Sequence, residues 1–142
     1  MSQSLAQILV HLIFSTKNRE CILADDVRTE LHPYMATILR GLDCPAILIN
    51  TVEDHAHLLF HLSKNQALCD VTEVLKKDSS KWIKRKGVAY RVFRWQSGYG
   101  AFSVSQSNVA HVARYIQRQK EHHRKWTFQD EFRAFLRRYR VH

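Results

Sequence analysis

The chain has 142 residues, 45% hydrophobic and 25% charged, the balance of a folded globular protein and not of a disordered one. No apolar run approaches the roughly 18 residues that cross a bilayer, and residues 1–7 lack the basic-then-apolar layout of a secretion signal, so a cytoplasmic protein is expected. Lys and Arg number 22 against 13 Asp and Glu, a net charge of +9. Such an excess draws polyanions, because each phosphate neutralised releases condensed counterions; a solvated basic surface without a partner is the alternative. Cys21, Cys44 and Cys69 are odd in number and show no CxxC spacing, which indicates neither a disulfide framework nor a thiolate zinc site.

Four glycines and two prolines leave no linker, repeat or low-complexity stretch, so residues 1–142 are expected to form one domain. Residues 6–15 (AQILVHLIFS) are rich in β-branched and apolar side chains and predict a strand. Over residues 25–42 the period changes. Val27, Leu31, Tyr34, Ile38 and Leu42 recur three or four apart, a helix stripe, with Gly41 near its end where a left-handed cap is usual. Residues 46–52 and 55–62 predict two more strands around a Glu53-Asp54 hairpin turn. A long helix is predicted over 66–86, with Leu68, Val71, Val74, Leu75, Trp82 and Ile83 inward. Short strands at 92–96 and 101–105 flank the turn Ser97-Gly98-Tyr99-Gly100. Ser107 suits the cap of a helix from Asn108 to about His123, buried through Val109, Val112, Ala113 and Ile116. Thr127 and Asp130 resemble a capping box for a last helix that buries Phe128, Phe132, Phe135 and Leu136. The order β-α-β-β-α-β-β-α-α predicts an α+β sandwich of ferredoxin-like type, an antiparallel sheet with helices packed mainly on one face.

Three patterns carry chemistry. His55-Ala56-His57 lies on a predicted strand, where residues two apart project to one face, so two imidazoles can share a divalent ion. Paired histidines on a strand are also common as plain surface residues, and His61, on the same face by parity but far along the strand, reads as an exposed edge residue. Tyr115 and Gln119 stand i and i+4 on the helix whose other face holds Val112, Ala113 and Ile116. A phenol near a metal and cations can attack a phosphodiester, and the Gln119 amide oxygen can serve as a third, neutral ligand; packing at a helix rim is the competing role. Lys76, Lys77, Lys81, Lys84, Arg85 and Lys86 gather around Ser79-Ser80, and Lys77, Lys81 and Lys84 keep helical spacing. Hydroxyls and ammonium groups together suit contacts to a phosphate backbone, against a plain solvated helix face. Trp95, Tyr99 and Phe102 are candidates for stacking on unpaired bases, with core packing the stronger role for Phe102.

Several stretches together are specific. They are HLIFSTKNR from His11, DHAHLL from Asp54, KKDSSKWI from Lys76, WQSGYGAFSVS from Trp95, Tyr115-Ile116 with Gln119, and EHHR from Glu121. In this combination the chain resembles the single-tyrosine HUH transposases, the insertion-sequence-200-like family that includes the REP-associated tyrosine transposases. The resemblance implies a Mg²⁺ or Mn²⁺ ion on His55 and His57, with Gln119 completing the protein ligands. It implies that Tyr115 attacks single-stranded DNA, leaving a 5′-phosphotyrosine link and a free 3′-hydroxyl. It further implies recognition of short hairpins, no nucleotide cofactor, and a homodimer in which the tyrosine helix of one subunit serves the histidines of the other. Lys77, Ser79, Ser80, Lys81, Lys84, Arg114 and Arg118 are the expected DNA contacts. Two positions depart from the family pattern: Ala56 replaces a larger aliphatic residue, and Arg118 stands where Asn is common. His122 and His123 belong to the pattern and are not assigned as ligands, since histidines at a helix end usually serve the dipole or a phosphate.

A replication initiator or relaxase shares the histidine pair and the tyrosine chemistry, but in longer chains and often in another order. From a different class, a ferredoxin-like sheet with basic helices can bind hairpin DNA or RNA without cutting it. An inactive relative kept as a regulator is the third reading, disfavoured because every named chemical group is present.

Overall fold

The computed structural model describes residues 3–119 and 128–138. The β-branched run beginning the chain forms β1 (Ile8–Ser15), followed by α1 (Asp25–Gly41), β2 (Ala46–Thr51), β3 (His55–Leu62), α2 (Leu68–Lys84), β4 (Gly100–Val104), α3 (Val109–Gln117) and α4 (Phe128–Arg138). The strands pair antiparallel in the order β2-β3-β1-β4. With a helix after β1 and another after β3, this is the ferredoxin-like βαββαβ arrangement expected from the sequence.

Strand parity divides the molecule. Val10, Leu12 and Phe14 of β1 and Ala56, Leu58 and Phe60 of β3 face α1 and α2, because side chains two apart share a face of the pleat. There they meet Leu31, Met35 and Leu39 from α1 and Val71, Leu75 and Ile83 from α2. The opposite parity, Leu9 and Leu59 with Val104, packs against Val112 and Ile116 of α3. Two long helices therefore cover one face and α3 packs on the other, so the second face is not open sheet. Burying a Leu or Ile on either side contributes on the order of 2 kcal/mol.

Several expectations need correction. The predicted strand over 92–96 is reduced to one bridge between Trp95 and Thr16. Its alternation is real, since Phe93 and Trp95 are buried while Arg94 is exposed. Its partner, however, runs out: β1 ends at Ser15, and Asn18 and Arg19 turn the chain away in left-handed conformation. Only Lys17 N–H to the Arg94 carbonyl and Gln96 N–H to the Ser15 carbonyl remain as ladder bonds. The left-handed residue after α1 is Asp43 and not Gly41, which is still helical. The helix expected from Asn108 to about His123 stops at Gln117, with Arg118 as its cap.

Of the last helix, Leu136 is half-buried. The side chains of Phe128, Phe132 and Phe135, together with Thr127, His122 and His123, lie outside the described residues. Among the described residues no helix is long and apolar enough to cross a membrane.

Candidate active site

His55 and His57 sit opposite Ser15 and Ile13 of β1. Their odd parity turns both rings toward α3, and both are fully buried. A buried imidazole needs hydrogen bonds to offset lost hydration, and each ring finds one at Nδ1. His55 Nδ1 is 2.8 Å from Asp54 Oδ1. His57 Nδ1 is 2.9 Å from Nε2 of His11, a fully buried residue of β1. Asp54 is held in place by the β2–β3 turn. Thr16 N–H donates to the Asp54 carbonyl at 2.7 Å, Leu23 N–H to the Glu53 carbonyl at 3.0 Å, and Val52 N–H to the His55 carbonyl at 3.0 Å. With Nδ1 engaged in both rings, Nε2 is the nitrogen left to meet an ion wherever the tautomer gives it a lone pair, and the ring centroids are 4.9 Å apart.

Tyr115 reaches this pair from α3. Val112 and Ile116 anchor the helix on Leu9, Leu59 and Val104, which leaves the tyrosine half-buried against Ile13 and Phe102. Its ring centroid lies 6.0 Å from that of His57 and 6.4 Å from that of His11, edge-on in both cases. The last turn of α3 is fixed by side-chain amides: Asn50 Nδ2 donates to the Ile116 carbonyl at 2.7 Å, and Gln119 Nε2 to the Tyr115 carbonyl at 3.3 Å. These occupy carbonyls that a helix end otherwise leaves without partners. Gln119 is therefore not one turn further along the tyrosine's own helix, as the i,i+4 spacing suggested. It lies past the cap, fully buried, folded back on α3.

The donor chemistry fits a divalent ion. Two imidazoles can offer a ring nitrogen, and Gln119, whose amide nitrogen donates to α3, has in Oε1 the kind of neutral oxygen that could serve as a third ligand. Among the described residues no group of three or more His, Cys, Asp or Glu is arranged around a metal, so such a set would be completed by water or substrate oxygens. His61 is half-buried at the far end of β3 and takes no part.

Outside the pair, Tyr115 lines a cleft of about 370 Å³ with His111, Arg114 and Arg118. Both arginines are exposed and stand at the C-terminal turn of α3, where cations also complement the helix dipole. A second groove, about 520 Å³, runs between α2 and the segment before β4, with Lys77, Ser80, Lys84, Arg94 and Tyr99 along it. Lys77, Lys81 and Lys84 are exposed as their spacing suggested.

Ser79 is a correction. It is fully buried, its Oγ accepts from Trp95 Nε1 at 2.9 Å and donates to the Leu75 carbonyl, and it cannot meet DNA. Trp95 and Phe102 are likewise buried, at 8% and 6% exposure, and only Tyr99, at 43%, remains open for stacking. Lys76 turns inward, donating to the Gln96 and Gly98 carbonyls, and burial lowers its ammonium pKa.

A third cleft, about 640 Å³, opens between α1 and β2 and shares Asp54 with the site. In it His32 meets Thr51 Oγ1 at 2.8 Å, and burial, then the Arg28 charge, holds its imidazole below the ordinary value. His11, Asn50 and His32 carry no role in the sequence reading; His11 stands inside a motif that assigned it none.

The fold is thus a ferredoxin-like sheet that sets a strand-borne histidine pair against a helix-borne tyrosine, with two arginines beside it. The chain belongs to the IS200-like transposase family, whose model matches residues 4–119. It is therefore a transposase by family, a DNA strand transferase. It is 28% identical over 123 residues to the ISDra2 transposase TnpA of Deinococcus radiodurans, covering 81% of this chain and 86% of that protein. A crystal structure of a transposase from Deinococcus radiodurans superposes with a TM-score of 0.65 at 23% identity, over 84% of this chain and 98% of that one. A REP-associated tyrosine transposase bound to a REP hairpin superposes with a TM-score of 0.63 at 15% identity, over 87% and 74% of the two chains. At these identities the two structures speak for the fold.

Proposed function

We propose that this transposase cuts and rejoins single-stranded DNA at hairpins through a 5′-phosphotyrosine intermediate on Tyr115, with Mg²⁺ or Mn²⁺ held by His55, His57 and Gln119. The observation that carries the reading is the convergence on one sheet face of Tyr115 with His57, 6.0 Å between ring centroids, beside Arg114 and Arg118. The Tyr115 oxygen forms a bond to phosphorus as the bond from phosphorus to the 3′ oxygen breaks. The phenolic proton leaves to solvent, and the departing 3′ oxygen takes one up as a hydroxyl. Reversal of the same exchange rejoins a strand, so bond energy is kept and no nucleotide cofactor is required. A divalent ion held by His55, His57 and Gln119 would supply Lewis-acid polarisation of the scissile phosphate. Arg114 and Arg118 place positive charge where the phosphate gathers negative charge. Lys77, Ser80, Lys81 and Lys84, with Tyr99 as a stacking platform, hold the DNA backbone away from the cut.

Incubation with Mn²⁺ and a library of single-stranded hairpins gives a covalent protein–DNA adduct on a denaturing gel, and Tyr115→Phe gives none. If the two proteins behave alike, the cutting reading fails, and a hairpin-binding module of this fold is what survives. A homodimer with shared sites belongs to the proposal through the family resemblance, although Tyr115 already lies at the histidines of its own chain. Mixing Tyr115→Phe with His57→Ala restores adduct only if sites are shared. Sedimentation at 16.7 kDa with activity intact removes the dimer.

A further inference from the structure

His11 is a polar ring in the middle of an apolar strand. Its neighbours in parity, Leu9 and Ile13, pack against α3 and Tyr115, and its ring is fully buried among them. It pairs in register with Leu59, one diagonal step from His57, a distance that rings can bridge. The two ring centroids are 5.1 Å apart, and Nε2 of His11 meets Nδ1 of His57 at 2.9 Å. His11 also stands edge-on to Tyr115, 6.4 Å away. It touches one member of each half of the site and is itself no member of a metal cluster among the described residues.

The direction of that hydrogen bond decides what His57 can do. A neutral imidazole has one N–H and one lone pair. If His57 Nδ1–H donates to His11, the lone pair of His57 is on Nε2, and that nitrogen can ligate. If His11 donates instead, His57 carries its proton on Nε2 and has no lone pair to offer there. His55 faces no such choice, because the ionised carboxylate of Asp54 only accepts, which sets Nδ1–H on His55.

We propose that His11 is a positioning residue that accepts the Nδ1–H of His57 and so fixes the tautomer and ring plane that present His57 Nε2 to the divalent ion. The purpose of the tautomer rests on the metal reading above; the hydrogen bond itself does not.

The test uses two readouts on the full chain, with circular dichroism and melting as controls on folding. In metal-free protein labelled with ¹⁵N at histidine, at about pH 8, where free imidazole is neutral, the His57 resonances report Nδ1–H in wild type. His11→Phe, which keeps a ring and removes the acceptor, abolishes that fixed tautomer. His11→Gln, whose amide oxygen reaches about as far as Nε2, restores it. Calorimetric titration with Mn²⁺ gives about 10–100-fold weaker binding for His11→Phe and affinity within a few-fold of wild type for His11→Gln. Wild-type His57 protonated on Nε2 overturns the proposal, as does a His11→Phe protein with unchanged tautomer and affinity. If His11→Phe does not fold, His11→Asn replaces it, since its shorter amide falls back toward the Nδ1 position. Equal behaviour of the Asn and Gln variants then overturns the assignment, and success of Gln alone supports it. Should wild type bind no Mn²⁺ while His57 still carries Nδ1–H and loses it in the variant, the metal reading falls and the positioning by His11 stands.

Discussion

At the scale of single residues, the site is built from groups whose second atoms are engaged. His55 leans on Asp54, His57 on His11, and Gln119 on the Tyr115 carbonyl. Preorganisation of this kind matters because an ion or phosphate can then be met without reorganising the donors. Replacing His57 by Ala removes one of two imidazoles while leaving the basic groove of α2 intact. Adduct formation is expected to fall by at least about a hundred-fold, more than outer-shell changes typically cost, while hairpin binding measured by gel shift stays within a few-fold of wild type. Cleavage retained by His57→Ala would overturn its place in the metal set. The histidine pair was legible because a strand's period of two puts residues 55 and 57 on one face whatever surrounds them. His11 was not legible, since its significance lies in a diagonal contact between strands that no local period encodes.

At the scale of elements, α2 is held against the chain before β4 by a buried polar link. Ser79 Oγ accepts the Trp95 indole N–H, and Trp95 packs edge-on against Phe14 and Phe93. Ser79→Ala leaves that N–H buried without its acceptor, which costs about 1–3 kcal/mol. Urea denaturation should show the loss, with hairpin affinity in native conditions unchanged; a variant of native stability that binds DNA poorly would return Ser79 to the DNA contacts. A second link joins α1 to β2 through His32 and Thr51. Folding lowers the His32 pKa, so the unfolded chain takes up a proton first as pH falls. The associated stability is present above about pH 6.5 and is lost as pH drops below it toward the folded value. Between about pH 7.5 and 5.5, wild type should lose more stability than His32→Gln. With nine histidines in the chain, the difference between the two proteins isolates this one, and equal losses would remove His32 from the account. The architecture and all four observed strands were legible from periodicity and turn residues. The spurious strand at 92–96 was not separable from a true one, because Phe93 and Trp95 alternate correctly and only the early end of β1 denies them a partner. Helix ends fared similarly: the last turn before Arg118 is held by Asn50 from β2, a contact of which local spacing in α3 contains no trace.

At the scale of the whole molecule, charge and architecture act together. The chain carries a net charge of +9. Lys77, Lys81 and Lys84 stand exposed along α2, and Arg114 and Arg118 flank Tyr115 on α3. The sheet lies between the two sets, since α2 packs on one face and α3 on the other. On the proposed function, a DNA strand held at the α2 groove would have to pass an edge of the sheet to reach the tyrosine, with one surface for anchoring and another for cutting. This separation predicts two distinct salt responses. Each phosphate contact contributes about 0.9 to the slope of log affinity against log salt on duplex DNA, and about 0.7 on single strands. Replacing Lys77, Lys81 and Lys84 together by Gln should lower the slope for a hairpin ligand by about two to three, measured by fluorescence anisotropy across a salt series. With saturating hairpin the rate of adduct formation should change little, because those lysines stand off the reacting phosphate. Arg114→Gln should do the reverse, leaving most of the slope in place and slowing the adduct. If the α2 variant keeps the wild-type slope, the groove does not hold the backbone, and the positive charge there is an ordinary solvated helix face.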